Sequence, residues 1–343
     1  MTANLYALLQ SRFESATEQP ALETDNGSII TYTELDRATA RYARFLADLG
    51  IARTARVAVQ VEKSVDSLLF YLGCLRAGVT YLPLNPAYRR AELGHFLADA
   101  RPALVVCDPA TLDDMQTLNH EHGVDHLYTL DSHGRGTLAD VAANLEPLFT
   151  TADVTADSPA VILYTSGTTG RPKGAIITHR NLIANATALV QTWGWRRDDV
   201  LLHALPLYHI HGLFVACHCA LLGASKMIFI SKFDAKHVLN LLPRATVFMG
   251  VPTYYTRLLA EPALDAGRCR GMRLFISGSA PLLTQTFDDF RRRTGHTILE
   301  RYGMTETGMN TSNPLDGERR PGTVGRALPG VSLRVVDAND RDV

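Results

Sequence analysis

Ala160-Val-Ile-Leu-Tyr-Thr-Ser-Gly-Thr-Thr-Gly-Arg-Pro-Lys-Gly174 reads in two parts. An apolar run, Ala160–Tyr164, suits a strand buried on both faces. It passes directly into a loop with three glycines (Gly167, Gly170, Gly174), four hydroxyl residues (Thr165, Ser166, Thr168, Thr169) and Lys173. Glycines let backbone N–H groups approach an anion, hydroxyls add donors, and a lysine adds a point charge, so the loop reads as a phosphate cradle. A Walker A loop would need G-x-x-x-x-G-K-[ST]; here Gly174 follows Lys173 and the glycine spacing differs.

The same strand-then-helix rhythm extends in both directions. Upstream, Thr33 is a candidate cap for a helix with apolar residues at Leu35, Ala38, Tyr42, Phe45, Leu46 and Leu49, stopped by Gly50. Then come strand Arg56–Val61, helix Val65–Ala77, strand Thr80–Leu84, helix Ala91–Ala100 and strand Ala103–Cys107. Downstream, helix Asn181–Thr192 is followed by strands Lys226–Ile230, Thr246–Met249 and Arg273–Ile276, alternating with helices Ala235–Leu241, Thr253–Leu259 and Leu283–Thr294. Such alternation predicts an α/β fold of two similar subdomains with mostly parallel sheets covered by helices. The expected divisions are 1–158, with a less regular connecting stretch 109–157, then 159–320, then the start of a small β-subdomain at 321–343 with a strand at Val331–Val336.

Composition sets the outer limits. The 343 residues are 46% hydrophobic and 20% charged, and 34 basic against 35 acidic residues leave a net charge of −1. That balance offers no basic field for a nucleic-acid backbone or an anionic membrane. No apolar run approaches the roughly 20 residues of a membrane span, and the N-terminus has no signal-peptide pattern, so a cytoplasmic protein is expected. Five cysteines suit reduced core thiols, and Cys217-His218-Cys219 reads as buried helix rather than metal site.

Four further segments stand out: Leu205-Pro-Leu-Tyr-His-Ile-His-Gly212; Ser277-Gly-Ser-Ala-Pro281 at the carboxyl end of strand Arg273–Ile276, where open α/β sheets bind ligands; Glu300-Arg-Tyr-Gly-Met-Thr-Glu-Thr-Gly308 after the apolar Thr297–Leu299; and Gly322-Thr-Val-Gly325. In this order, with Leu75-Arg-Ala-Gly-Val-Thr-Tyr-Leu-Pro-Leu-Asn85, they resemble the core motifs of the adenylate-forming enzymes: acyl-CoA synthetases, luciferases and adenylation domains. The resemblance spans about residues 20 to 337.

The resemblance implies an ATP-dependent acid–thiol ligase. Thr165, Ser166, Gly167, Thr168, Thr169, Gly170 and Lys173 would hold the ATP phosphates, with Thr305 near the α-phosphate and Glu306 on Mg2+. Tyr302 would stack on adenine against Gly278, Ser279 and Ala280. The Glu300–Arg301 backbone would lie nearby, and Gly303 and Met304 would continue this wall, Met304 also facing the acyl group. His209 would stand between acyl pocket and thiol channel, and coenzyme A would be the co-substrate. Met304–Pro314, Ile276–Leu283 and His203–His209 resemble malonyl-CoA synthetases in particular, which implies malonate or methylmalonate as the acid. Arg257, the only charge in Phe248–Leu259, would then hold the second carboxylate with Ser277 or Ser279.

Relatives run on into a C-terminal domain carrying a catalytic lysine, and no lysine follows Lys236 here. The sequence therefore predicts that this chain alone turns over little and that the C-terminal domain is its main protein partner. A non-catalytic nucleotide or acyl-adenylate binding module, or an acyl-CoA synthetase for another small or dicarboxylic acid, is the alternative; a Rossmann dehydrogenase would need a strand-linked G-x-G-x-x-G that is missing.

Overall fold

The computed structural model describes residues 3–165 and 172–343. Its strands are β1 (Pro20–Thr24), β2 (Ile29–Thr31), β3 (Arg56–Gln60), β4 (Thr80–Pro83), β5 (Leu104–Cys107), β6 (His126–Thr129), β7 (Pro159–Thr165), β8 (Lys173–Thr178), β9 (Val200–His203), β10 (Lys226–Phe229), β11 (Val247–Gly250), β12 (Leu274–Ser277), β13 (Leu299–Met304), β14 (Gly308–Ser312) and β15 (Arg326–Ala327). Its helices are α1 (Leu5–Phe13), α2 (Tyr32–Asp48), α3 (Val65–Ala77), α4 (Arg90–Ala100), α5 (Leu112–His122), α6 (Thr137–Ala143), α7 (His179–Thr192), α8 (His218–Leu222), α9 (Ala235–Leu241), α10 (Pro252–Leu259) and α11 (Thr284–Thr294).

Two sheets result, in the order β6-β5-β3-β4-β7-β8 and β15-β14-β13-β12-β11-β9-β10-β1-β2. Pairing is parallel from β6 to β7 in the first and from β13 to β1 in the second. The expected division at 158/159 does not coincide with this partition. β7 and β8, beyond it, complete the first sheet, while β1 and β2, before it, form an edge of the second.

Strand alternation sorts side chains into three layers of core. Val57 and Val59 face the central layer and Ala58 the outer one; Leu201, Met227, Val247, Met249, Leu274 and Ile276 face inward while Leu202, Ile228, Phe248 and Phe275 face outward. The central layer, between the sheets, holds α3, which is buried along Ser67–Ala77 because it has protein on every side. The outer layers are closed by α9, α10 and α11 on one side and by α4 and α5 on the other.

Several local expectations are corrected. Thr31, not Thr33, caps α2: its hydroxyl accepts from Glu34 N, and Glu34 accepts from Thr31 N at 2.8 Å, a reciprocal box that Thr33 has no glutamate to complete. Thr33 instead donates its hydroxyl to Thr17 O. The stretch 109–157 contains α5, β6 and α6, with β6 extending the first sheet in parallel. Val331–Val336 forms no strand; Leu333 and Val335 are exposed, and one isolated bridge, Val336 to Asp342, is all that pairs there. Cys217-His218-Cys219 is buried as read, at the junction of a π-helix (His211–Cys217) and α8. Among the described residues no helix is long and apolar enough to cross a membrane, and no cluster of three or more His, Cys, Asp or Glu is placed to hold a metal.

Candidate active site

The polar motifs gather where the parallel strands of both sheets end. β7 and β8 form an antiparallel hairpin in which Thr165 pairs with Lys173 across its mouth, leaving Lys173 exposed. The cradle residues Ser166, Gly167, Thr168, Thr169 and Gly170 lie outside the described residues. β8 runs directly into α7, capped by Thr178, whose hydroxyl accepts from Asn181 N. Asn185 of α7 donates to Met309 O at 3.1 Å, which docks α7 against the β13/β14 hairpin. Thr305, Glu306 and Thr307 form that hairpin's tip, and Gly308 follows with φ +73°, the left-handed residue that a three-residue hairpin of this kind requires. The fold thus brings the phosphate-type hairpin and Glu306 to the two sides of a cavity of about 100 Å³, lined by Ile177, Asn181, Asn185, Phe214, Thr305 and Glu306 among others. Tyr302 and Met304 alternate onto the open face of β13, 43% and 41% exposed.

A second cavity, of about 220 Å³, lies between the carboxyl ends of the two sheets. Lys63 comes from the loop after β3, Leu84 from the loop after β4, Tyr208 from the loop after β9, Phe233 from the loop after β10 and Tyr254 from α10. The 206–214 segment runs between the cavities, contributing Pro206, Leu207 and Tyr208 to one, Ile210 and Phe214 to the other. Its backbone is locked at Gly212, where a Cβ would meet Pro206 O at 2.0 Å. His209 is exposed, with its ring against Tyr208 at 4.5 Å, and His211 is buried.

Behind this surface lies an unusual buried group. Arg301, 3% exposed on β13, has no hydrogen-bond partner for Nε or Nη2, and burial lowers its pKa to about 10. Its guanidinium lies flat against Gly278, where a Cβ would sit 2.4 Å from Cζ. Ser277 ends β12 fully buried, and its Oγ is also unpartnered. Burial, with the nearby Arg301 charge adding to it, holds His211 neutral by keeping its pKa well below the usual histidine range. His211 Nδ1 is 3.3 Å from Ser279 Oγ; with Ser279 donating there, Nε2 carries the proton and has no acceptor. Ser279 holds this position with φ +72°, a conformation a non-glycine residue adopts at a cost. Glu300 points elsewhere: Oε1 accepts from Leu282 N at 2.9 Å and burial raises its pKa. The N–H and O–H groups of Arg301, Ser277 and His211 are therefore buried donors without acceptors, a costly arrangement that an anionic oxygen would satisfy.

Arg257 is not part of this cluster. It lies exposed on α10, its guanidinium 4.8 Å from the Phe233 ring, and Phe233 in turn stacks on Tyr254 at 3.8 Å. From sequence, Arg301 had been considered for its backbone alone. The signal in its side chain was a charge two residues after Leu299, at a position that alternates onto the same buried face of the strand.

The sequence profile described as AMP-binding enzyme matches residues 9–343. This chain belongs to the AMP-binding enzyme family. Among its members, the mitochondrial malonate–CoA ligase of Mus musculus is 37% identical over 309 residues, covering 85% of this chain and 52% of that protein. The sulfoacetate–CoA ligase of Cupriavidus necator is 31% identical over 337 residues, covering 97% of this chain and 66% of that protein. The crystal structure of ATP-bound MatB from Rhodopseudomonas palustris superposes with a TM-score of 0.97 at 51% identity, covering all of this chain and 68% of that one. As an AMP-binding enzyme the chain thus spans about half the length of the mouse relative, and its architecture is that of the corresponding part of MatB.

Proposed function

We propose that this chain is the acid- and nucleotide-binding part of an AMP-forming acyl-CoA ligase whose acid is malonate. The observation that carries the acid is the unpartnered, buried Arg301 guanidinium, whose charge bears on the neutral His211. A monocarboxylate presents its only anionic group to the reaction and would leave Arg301 unmatched; malonate has a second carboxylate to give it. Relatives named for malonate and sulfoacetate both act on acids with a second anionic group.

On this reading, Arg301 and His211 hold the non-reacting carboxylate. The other carboxylate attacks the α-phosphorus of ATP, the bond to pyrophosphate breaks, and malonyl-adenylate forms. In the complete protein, the coenzyme A thiol then attacks the acyl carbon, the bond to AMP breaks, and malonyl-CoA results. Thr165 and Lys173, with the loop between them, are the proposed phosphate donors. Exposed Tyr302 and the Gly278–Ala280 turn are the proposed adenine platform, and Thr305 and Glu306 sit at a hairpin tip free to reach the nucleotide. A lone exposed carboxylate fits Mg2+, which phosphates largely coordinate themselves; when bound, the ion would offset phosphate charge. His209, exposed between the cavities, is proposed to border the route of the thiol.

Equilibrium binding of malonate, acetate and octanoate to the chain, with ATP present, tests the reading. Malonate should bind at least tenfold more tightly than either monocarboxylate. Octanoate binding as tightly as malonate would reject the assignment of the pocket.

A further inference from the structure

The chain has 34 basic residues, of which only five are lysines: Lys63, Lys173, Lys226, Lys232 and Lys236. Lys63 is the buried one, 7% exposed on the wall of the larger cavity. Among the described residues no carboxylate pairs with it; the charge of Asp25 is felt only from a distance. Both hydrogen bonds of Nζ go to one residue across the gap between the sheets, to His203 Nδ1 at 2.7 Å and to His203 O at 2.9 Å. His203 Nε2 faces Gly212 O at 2.9 Å and Cys217 Sγ at 3.3 Å. With Nε2–H donating to that carbonyl, Nδ1 is left as an acceptor. Burial, and then the charge of Lys63, keep this histidine neutral.

An uncharged amine has two N–H groups, and His203 supplies two acceptors for them. The remaining valence is a lone pair. The ammonium is further stabilised by the Phe229 ring, 4.2 Å from Nζ, and at longer range by Cys217 and Asp25. Burial accordingly brings the Lys63 pKa down to about 7. Lys232 and Glu62 share the same cavity wall, with Lys232 exposed.

We propose that Lys63 is an acyl-acceptor site, its amine taking a short acyl group from an acyl thioester that enters the larger cavity. The nitrogen lone pair attacks the thioester carbonyl, the carbon–sulfur bond breaks, and the proton lost from nitrogen ends on the departing thiolate. The products are an amide on Lys63 and a free thiol. The modification removes the cation that bridges the two sheets and places an acyl group in the cavity. It does not depend on which acid the chain activates.

The test incubates the intact chain with S-acetyl-N-acetylcysteamine between pH 6 and pH 10 and maps acetylation at all five lysines by peptide mass spectrometry. At pH 7 about half of an amine with pKa 7 is uncharged, against roughly 1 in 2,500 for a lysine at its ordinary value of about 10.4. A Brønsted slope of about 0.45, as for thiols, lowers the resulting advantage to roughly 30-fold. The expected result is labelling of Lys63 about 30-fold faster than Lys232 at pH 7, with the preference falling as pH rises, vanishing near about pH 9 and reversing by pH 10. In urea Lys63 should fall to the level of the other four, and in Lys63→Arg that site should take no label while Lys232 labels as before. Faster labelling of Lys232 at pH 7, an unlabelled Lys63 in the folded chain, or a preference at pH 7 that persists in urea would each overturn the proposal.

Discussion

Replacing Arg301 with methionine should separate stability from recognition. In the empty protein the guanidinium is a buried cation with two unmatched nitrogens, Nε and Nη2, and leaving a buried donor unmatched costs about 1–3 kcal/mol. Methionine has a similar length, no donors and a flexible thioether that fills irregular space. The unliganded variant should therefore be as stable as the parent or up to about 3 kcal/mol more stable, a rise in Tm of roughly 0–6 °C at about 2 °C per kcal/mol. Malonate binding should move the other way. Removing one partner of a buried, hydrogen-bonded charge pair costs about 2–5 kcal/mol, so Kd should rise about 30- to 5,000-fold. Differential scanning calorimetry without ligand and isothermal titration with malonate read the two effects on the same preparation, and ATP binding serves as the control for the intact nucleotide site. A variant that melts more than about 5 °C lower while binding malonate as before would refute the reasoning, since Arg301 would then be a structural cation with partners of its own.

Three other outcomes follow from the same geometry. Gly278→Ala puts a methyl group 2.4 Å from Arg301 Cζ; the guanidinium must move, and titration should show malonate affinity falling at least tenfold. Arg257→Ala alters an exposed side chain stacked on Phe233, and surface changes of this kind are usually within about 0.5 kcal/mol, so malonate affinity should change by about twofold or less in the same assay. Asp199 lies 2% exposed, where burial alone would raise its pKa, yet Arg273 (2.6 Å to Oδ1, 2.5 Å to Oδ2), Arg196 N and the Thr246 hydroxyl hold it below the usual carboxylate range. A depressed folded-state pKa stabilises above the unfolded value and is lost as pH falls through the folded one. Urea melts should show Asp199→Asn destabilised by about 3–5 kcal/mol at pH 7, with the gap to the parent narrowing below about pH 4.

Much of the architecture was legible because the chain punctuates its elements with strong local chemistry. Val65–Ala77 was bounded correctly from an apolar run stopped by Gly78, which takes the left-handed cap at φ 71°. Ala235–Leu241 was equally clear, capped by Asp234 accepting from His237 N. The failures have physical causes. β9 is only four residues long and went unread, although it sits between β11 and β10 in the middle of a sheet; its stability comes from neighbours distant in sequence. Val331–Val336 carries β-type residues but has no ladder to join, and propensity without a partner does not make a strand.

The site divides in the same way. Motifs rich in glycines and hydroxyls, such as Thr165–Gly174 and Glu300–Gly308, announced themselves, although the β-hairpins to which they belong did not. The side chains that bear on acid choice and on Lys63 chemistry did not, because their meaning lies in what is missing around them. That Arg301 lacks an acceptor, or Lys63 a carboxylate, emerges only when distant segments are brought side by side, His211 with Arg301 and, 140 residues apart, Lys63 with His203.

The exchange of strands between the two sheets bears on how the chain is made. As synthesis proceeds from the N-terminus, β1 and β2 leave the ribosome first, yet the parallel neighbour of β1 is β10, some 200 residues later. The first sheet cannot close until β7 and β8 have emerged, by which point α7 is already following. The second sheet cannot mature as a vectorial unit, so the early product must hold the unpaired β1–β2 hairpin in a collapsed, unfinished state. A chain wired this way should gain more than most from chaperones that shield an open sheet edge. It should also tolerate a nick at a surface loop after folding far better than separate synthesis of the two pieces before it.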